Sequence, residues 1–497
     1  MDSERMGSKM FDILIKNATV ITLDAQHRVF QHGYIAVIGD SIAEIGPMES
    51  MPRRVETKKT IDAEGLAVMP GLIDGHGHAG HCLIKTFAEQ NDTANPPGWW
   101  GSMAEDIYYH YTDDFFWYAE GALAAAERLK FGITTGVSML GSTPRPDRLE
   151  NLASHFEGAR KTGLRQISGI GSCDGPWPKK PWVWQNDRHQ EYEFTPEQMV
   201  ENTEKAVMTL NGKHKRQICI VAPGSMGINE DKGDTREFCI WKNKQMGRIA
   251  KEYNVPLHTH IYGGGVQFIY DTTPELLGPT TSLTHATGLS ENEIKILAET
   301  GAVLFHGPTT RANIKNRCPV YEVLRAGGEV VIVTDGTAPD RSYDIWRDMK
   351  VFQVIHRAHE NDPLLAPPGR VLEMCTIRAA RALGIDKMTG SLEIGKRADI
   401  IIINTKQPHL APFGIMPVQR LVYHAQGQDV DTVIVDGEIM MENRKMLACD
   451  EKQILTDAEQ AFHELCNRLG SEKVNAITAY GDIYGIMATP TKNPYDL

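Results

Sequence analysis

The middle of the chain alternates short apolar runs with segments of helical periodicity. Between the runs, TPEQ at 195–198 and SENE at 290–293 are typical of capping boxes that begin helices. Strands and helices that alternate in this way predict an α/β fold, a (β/α)8 TIM barrel with its active site at the carboxyl ends of the strands. A doubly wound sheet is the structural alternative, but it does not bring the first, middle and last strands to one point. The predicted strands lie at 67–72, 132–137, 165–170, 217–221, 256–260, 282–285, 302–305 and 330–334.

Both ends of the chain carry β-rich pieces, and each piece is too small for a core of its own. The two pieces are therefore expected to join into one small β-sandwich domain. Further on, TDAE at 456–459 predicts the start of a helix that runs to Leu469 and packs outside the barrel. The chain is thus predicted to divide into a flexible leader at 1–10, a β-sandwich domain at 11–68 and 396–446, a catalytic barrel at 69–395 and a helical tail at 447–497.

Composition narrows the function classes. The formal net charge of −12 provides no basic surface for phosphate backbones, so nucleic acid is not expected as a partner. No apolar run reaches the ~18 residues that span a bilayer, and the N-terminus lacks a signal-peptide core. The 8 cysteines are scattered without CxxC pairs, as is typical of a reducing compartment. We expect a cytoplasmic homo-oligomer that acts on a small molecule, with no membrane partner.

Polar residues of metal-ligand type stand at the ends of four predicted strands. In GLIDGHGHAGH at 71–81, His76 and His78 alternate, so in a strand they would share one face. HTH ends the fifth strand, where His260 is the better ligand and His258 is expected to line the barrel in a hydrogen-bond network. The sixth strand ends at His285 and the eighth at Asp335. One such residue alone is typical of a core or a cap, but together they predict a metal site at the barrel mouth.

These motifs resemble a known family. VMPGLIDGHGH, HTH, LTHATGLSENEIKILAETGA and VTDG are similar to the amidohydrolase superfamily. ERLKFGITTGVSML and VLEMCTIRAARALGIDKMTGSLEIGKRADIIIIN resemble its triazine hydrolase, cytosine deaminase and guanine deaminase branch. The resemblance implies one divalent metal ion per chain, with zinc expected and iron, cobalt or manganese open. It also implies His76, His78, His260 and Asp335 as metal ligands.

The resemblance further implies the catalytic roles. His285 would hydrogen-bond the metal-bound water and shuttle its proton, and Asp335 would both bind metal and accept that proton. A divalent metal lowers the pKa of bound water to about 7 and so supplies hydroxide at neutral pH. The fourth strand, RQICIVAPGS, has no lysine at its end to bridge two metal ions, so a mononuclear site is expected.

One position departs from the pattern of the branch. The fifth strand there usually reads HxHxxE, but the third residue after His260 is Gly263, which has no acid to protonate a ring nitrogen. We therefore predict that a metal-bound hydroxide hydrolyses a non-peptide C–N bond in an amide, urea or carbamate. A deaminase or dechlorinase of a nitrogen heterocycle, triazine-like or nucleobase-like, is the alternative. A non-catalytic binding barrel is a third class, against which the complete ligand set speaks. Tyr262 and His306 are candidate replacement acids.

Aromatic residues near the predicted barrel mouth are weaker signals for substrate contacts. PPGWW at 96–100 and CDGPWP at 173–178 follow the first and third strands. Each tryptophan alone is as typical of packing, but together they favour a small apolar or aromatic substrate. The predicted substrate contacts are His81, Trp99, Trp100, Trp177, Tyr262 and His306.

Overall fold

The computed structural model describes residues 9–88, 99–141, 145–185, 188–310 and 317–478. Of its two nine-stranded sheets, one is parallel and confirms the predicted TIM barrel, with strands that follow one another in the order β6, β8, β9, β12, β13, β14, β15 and β16. A two-residue strand, β7, pairs with β8. The bounds are β6 Leu72–Asp74, β7 His78–Ala79, β8 Ile133–Leu140, β9 Arg165–Ile170, β12 Gln217–Val221, β13 Leu257–Tyr262, β14 Thr281–Thr287, β15 Val303–His306 and β16 Val330–Ile332.

The first and last barrel strands meet through Asp74, at the end of β6. Its carboxylate accepts hydrogen bonds from the amide of Thr334, 3.1 Å away, and from the Thr334 hydroxyl at 2.8 Å. Asp335 N donates to His76 O over 3.1 Å. These contacts bring the segment after β6 and the segment after β16 side by side at the barrel mouth.

The second sheet takes its strands from both ends of the described chain, as predicted. Strand β17 pairs antiparallel with β5, and β5 pairs in parallel with β1. The two halves share one apolar core in which Ile15 and Val37 are buried with Ile400 and Ile434. The strands are β1 Lys9–Ile21, β2 Val29–Ile38, β3 Ser41–Pro47, β4 Val55–Asp62, β5 Ala67–Pro70, β17 Ile400–Ile403, β18 Val430–Val435, β19 Glu438–Glu442 and β20 Lys445–Met446.

The apolar run at 67–72 was predicted as the first barrel strand, and this prediction is wrong in detail. Ala67–Pro70 belongs to the second sheet, and the barrel strand begins only at Leu72. Between them, Gly71 passes so close to Thr134 that a Cβ atom would lie 2.2 Å from that side chain. Glycine therefore allows the chain to cross from one sheet to the other within a single residue. The predicted domain boundaries at 68 and 396 stay predictions.

A hairpin after β9 pairs β10, Trp182–Gln185, with β11, Arg188–Glu191. Short 3-10 turns lie at Met48–Ser50, His81–Leu83, Glu230–Lys232, Pro274–Leu276 and Gly427–Asp429. The α-helices of the described chain are α1 Trp99–His110, α2 Asp114–Lys130, α3 Leu149–Thr162, α4 Pro196–Leu210, α5 Arg236–Glu252, α6 Gly265–Thr272, α7 Glu291–Thr300, α8 Val320–Arg325, α9 Ile345–Glu360, α10 Pro368–Met374, α11 Ile377–Ala382, α12 Pro417–His424 and α13 Glu451–Thr478.

Local helix signals agree with the structure at two of three predicted starts. Thr195 and Ser290 both form complete capping boxes, at the starts of α4 and α7. The tail helix was predicted to begin at Thr456, which is wrong. The helix begins at Glu451, because the Asp450 carboxylate accepts from the amides of Lys452 and Gln453.

The tail helix is kinked at Gly470, where the backbone is not helical, and it packs on the barrel, since α13 contacts α2. The leader residues 1–8 and the tail residues 479–497 lie outside the described residues. Within the described ranges, no helix is both long and apolar enough to cross a membrane.

Candidate active site

Side chains that lie in or just after the first, the middle and the last strands of the barrel meet at the barrel mouth. Nε2 of His78 lies 3.3 Å from Nε2 of His260. Oδ1 of Asp335 lies 3.2 Å from His78 Nε2 and 3.4 Å from His76 Nε2. Within the described chain His76 Nε2 is buried and has no hydrogen-bond partner. The ring nitrogens and the carboxylate therefore face one another as acceptors, with no donor among them. A divalent cation would bind such a cluster.

His76 and His78 were predicted to share one face of a single strand, but they come together in another way. Strand β6 ends at Asp74, before either histidine, and His78 belongs to the separate strand β7. The two rings stand edge to face, at 85°, rather than side by side on one strand face. The His78 ring instead stacks on the ring of His260, with centroids 5.1 Å apart and the planes at 4°.

The second ring nitrogen of each histidine is already engaged. His78 Nδ1 lies 2.8 Å from Gly141 O, and His260 Nδ1 lies 2.9 Å from Gly224 O. A carbonyl oxygen can only accept, so both Nδ1 atoms carry the proton in the neutral ring. The lone pair of each ring therefore stands on Nε2, the atom that faces the cluster.

His76 is held by a longer chain of hydrogen bonds. Its Nδ1 lies 2.6 Å from His258 Nε2, and His258 Nδ1 lies 2.5 Å from Ser282 Oγ. Burial, together with His78 and His285, lowers the pKa of His258 to about 3, so this ring is neutral. The Ser282 hydroxyl can donate to Leu257 O, 3.5 Å away, and so accepts from His258 Nδ1, which leaves His258 Nε2 to accept from His76. As a result His76 also has its lone pair on Nε2.

The charge state of the cluster suits metal binding. Burial holds the pKa of His76 and of His260 well below 6.5, so both rings are neutral ligands at pH 7. Burial alone would raise the pKa of Asp335, but Arg341 and the neighbouring imidazoles hold it well below 3.8. Asp335 is therefore ionised, and neutral imidazoles with a carboxylate are the forms in which these side chains bind metals.

His285 stands beside this cluster. Its Nε2 lies 3.9 Å from Asp335 Oδ2, and its ring stacks 5.2 Å from that of His260. Burial, partly offset by Asp335, lowers the pKa of His285 to about 4. The backbone of His285 has φ of 70° and that of Asp335 has φ of 64°, a left-handed conformation that few residues other than glycine adopt. Such conformations persist where the surroundings impose them, and they concentrate at functional sites.

The glycines after His260 are shaped by the neighbouring loop. Gly263 N donates to Thr287 O over 3.0 Å, and a Cβ atom on Gly263 would lie 2.3 Å from Gly288 O. No side chain fits at this position unless the loop after β14 moves. The absence of an acid at Gly263 is therefore a property of two loops in contact.

Three of the predicted substrate contacts lie around the cluster. The His81 ring stacks on His78 with centroids 4.9 Å apart, and Trp100 stands edge to face against His81 at 5.0 Å. Tyr262 is 46% exposed and stacks over His285 with centroids 6.0 Å apart. Their rings thus pack on His78 and on His285, directly or through one another.

The other predicted contacts are placed differently. The ring of Trp177 packs against Phe194 and Phe238 in an apolar cluster. His306 is buried, with its Nε2 3.1 Å from His356 Nε2, and burial holds its pKa well below 6.5. The side chain of Trp99 lies outside the described part of the structure. A substrate role for each of these residues stays a prediction.

Three buried residues beneath the HGH segment had not been predicted. Arg128 donates to Asp74 Oδ2 over 3.1–3.2 Å and to Val137 O over 2.8 Å, and its guanidinium lies 3.8 Å from the centre of the Tyr343 ring. Tyr343 donates its hydroxyl proton to His78 O over 3.3 Å. Only Asp74 stands within the motif, so the sequence contains no local signal for the other two.

A (β/α)8 barrel that gathers three histidines and an aspartate at the carboxyl ends of its strands defines a class of metal-dependent hydrolases. The chain belongs to the amidohydrolase family, whose model matches residues 67–440. It is accordingly a hydrolase that acts on carbon–nitrogen bonds other than peptide bonds.

The chain is also similar to individual known proteins. The 5'-deoxyadenosine deaminase of Methanosarcina mazei is 28% identical, over 93% of this chain and 100% of that protein. An adenosine deaminase from Xanthomonas campestris with bound zinc has a TM-score of 0.75 at 20% identity, over 92% of this chain and 99% of that one. The atrazine chlorohydrolase of Arthrobacter aurescens TC1 complexed with zinc has a TM-score of 0.71 at 21% identity, over 90% of this chain and 100% of that one. At these identities the two structures bear on the fold alone.

Proposed function

We propose that each chain binds one divalent metal ion through the Nε2 atoms of three histidines and the carboxylate of Asp335. The support is the tautomer of His78 and of His260, whose protonated Nδ1 atoms are bound to carbonyl oxygens. A set of three nitrogens and one oxygen suits zinc, and iron, cobalt or manganese would also accept it. Two solved structures of the same fold are described with zinc. The proposed ligands, joined by the distances given above, are His76, His78, His260 and Asp335.

A bound divalent ion would lower the pKa of a coordinated water to about 7 and polarise the oxygen of a carbonyl group. We propose that the chain's own residues then move the proton. His285 is unprotonated at pH 7, so its Nε2 can accept a proton at the cluster and return it to a departing nitrogen. Asp335 Oδ2, 3.9 Å away, is the second acceptor on the same path.

We propose that the bond broken joins nitrogen to an acyl carbon, as in an amide, urea or carbamate. The observation that carries this choice is the contact of Gly263 with Gly288 O, which leaves no room for an acid beside the substrate. Deamination of an aromatic ring needs a proton on a ring nitrogen, whereas acyl cleavage needs a proton only on the leaving nitrogen. His285 could supply that proton in the role proposed above. Deamination of a heterocycle is the second candidate, favoured by the deoxyadenosine deaminase that is 28% identical over nearly the whole chain.

Product identity separates the two candidates. Purified enzyme loaded with zinc is incubated with anilides, ureas, carbamates and heterocyclic amines, and the products are measured by mass spectrometry. The expected product is a substituted amine or aniline together with the matching acid. Free ammonia with an intact, hydroxylated ring would establish the deaminase instead. A chelated sample is the control, and turnover that survives full metal removal would contradict both.

We further propose a homo-oligomeric enzyme of a reducing compartment such as the cytoplasm. All eight cysteines are free in the structure, and six of them are buried. Native mass spectrometry of the purified protein would measure the number of chains.

A further inference from the structure

A buried arginine stands beside the ligand cluster. Arg341 lies in the loop after β16, its side chain is only 7% exposed, and its Nη2 is 3.8 Å from Asp335 Oδ2. Its Nε donates to Gly336 O over 2.7 Å, and Nη2 donates to Ala338 O over 2.6 Å. The loop therefore wraps around the guanidinium and holds a permanent positive charge in one place at the barrel mouth.

The guanidinium has more donors than the described chain uses. Of its five N–H groups, two donate to the carbonyls of its own loop, and one on Nη1 lies 3.4 Å from Thr310 Oγ1. Asp335 Oδ2, at 3.8 Å, is too far for a hydrogen bond. One N–H on each terminal nitrogen thus has no acceptor among the described residues. A buried cation with spare donors is stabilised by an arriving acceptor, most strongly by a charged one.

The charge balance of the site also favours a negatively charged ligand. The charged side chains that act on His81 and His285 are Asp335 and Arg341. Arg341 offsets Asp335, and Gly263 supplies no second carboxylate. The charge of a bound divalent ion would therefore stay uncompensated by the described side chains. A neutral substrate would leave this excess in place, whereas an anionic substrate would remove part of it.

We propose that Arg341 binds a negatively charged oxygen group of the substrate, next to the C–N bond that is cleaved. A carboxylate and an ionised ring oxygen are the two chemical sources of such a group, and the planar fork of a guanidinium matches both. The inference rests on the proposed function, because it assigns the substrate class of that same site. It makes Arg341 a specificity-determining residue in this loop.

Anion binding to metal-free protein tests the proposal without relying on turnover. The probes are benzoate for a carboxylate, barbiturate for an ionised ring oxygen, and benzamide as the neutral match for benzoate. Their dissociation constants are measured by calorimetry and by the shift in melting temperature. Arg341→Gln is compared with Arg347→Gln, an exposed arginine nearby whose Nη1 lies 3.3 Å from Ser342 Oγ.

The wild type and Arg347→Gln are expected to bind at least one anion, and Arg341→Gln to bind it at least ~10-fold more weakly. Benzamide is expected to bind no better to the wild type than to Arg341→Gln. Equal anion affinity of Arg341→Gln and wild type would overturn the proposal, as would a wild type that does not prefer benzoate or barbiturate to benzamide. That preference is read from the wild type alone, so the test stands even if Arg341→Gln does not fold.

Turnover by the zinc-loaded wild type separates this proposal from the proposed function. Release of an amine from neutral substrates with no preference for their carboxylate-bearing analogues would leave the function standing and overturn the role of Arg341. Failure to release an amine from any substrate, together with Arg341-dependent anion binding, would overturn the function instead.

Discussion

In each histidine of the cluster, the two ring nitrogens have different roles. One nitrogen donates to a fixed acceptor, which sets the tautomer, and the other presents its lone pair to the cluster. His78 and His260 donate to carbonyls, whereas His76 depends on the side chains of His258 and Ser282. Partners of this kind orient metal ligands, and their loss typically costs 10–100-fold in metal affinity or activity.

His258→Ala is therefore expected to weaken zinc binding by ~10–100-fold, because the Nδ1–H of His76 loses its acceptor and the ring is free to turn. Competition with a chromogenic chelator would measure the affinity. His359→Ala is the matched control, since that histidine is exposed. Equal zinc affinity of His258→Ala and wild type would show that His76 does not need this chain.

His285→Ala is expected to retain zinc and to lose at least ~10²-fold in turnover, the lower range for loss of a general acid–base group. Elemental analysis and steady-state kinetics on the same sample would test both parts. His285 also lies within reach of a metal shared with His76 and Asp335. Loss of zinc in His285→Ala would identify it as a ligand rather than a proton carrier.

The loops after β13 and β14 act as one unit at the level of secondary-structure elements. They are joined by the hydrogen bond from Gly263 N to Thr287 O, and they pack without space for a side chain at Gly263. His285 precedes the second loop and His260 the first. Any displacement of these loops would therefore move a proposed ligand and the proposed proton carrier together.

Gly263→Ala is expected to lower the free energy of unfolding by about 1–3 kcal/mol, the usual cost of forcing extra atoms into a packed site. Its turnover should fall as well, because the loop after β14 must move. Gly278→Ala is the control, since nothing lies within 4 Å of a Cβ built there. If urea denaturation gave the two variants equal stability, the loop at Gly288 would be able to move at little cost in free energy.

At the scale of the whole molecule, buried ion pairs join the barrel to the second sheet. Arg165, the first residue of β9, donates to the carboxylates of Asp399 and Asp436, and all three side chains are buried. Asp399 Oδ1 also accepts from Asp436 N over 2.9 Å. Burial alone would raise the pKa of Asp399, but Arg165 holds it below 3.8.

Asp399→Asn is expected to destabilise the protein by about 3–5 kcal/mol at pH 7, because Arg165 is left buried with an incomplete set of partners. Asp62→Asn is the control, since the pair of Asp62 with Lys16 is exposed and worth about 0–1 kcal/mol. The lowered pKa makes the contribution of Asp399 complete above its unfolded value of about 3.9, and it disappears as the pH falls further. Chemical denaturation between pH 7 and pH 3 should show that acid-dependent loss in the wild type and less of it in Asp399→Asn.

The sequence alone determined the features that depend on neighbours along the chain. Apolar runs and capping residues are local signals, so the barrel strands and the starts of α4 and α7 could be predicted. His260, His285 and Asp335 could be chosen because the carboxyl ends of barrel strands meet at one face. The absence of an acid at Gly263 was also visible.

Tertiary structure decided whatever depends on distances between segments remote in the chain. Ala67–Pro70 joins the second sheet because Gly71 can pass Thr134, a contact that no local pattern encodes. The tautomer of His76 is set by Ser282 through His258, and the room at Gly263 is set by Gly288. In the sequence, Arg341 cannot be told apart from other loop arginines. Its burial beside the cluster depends on how its loop folds. These properties arise from packing between separate elements, and packing is fixed only once the barrel has formed.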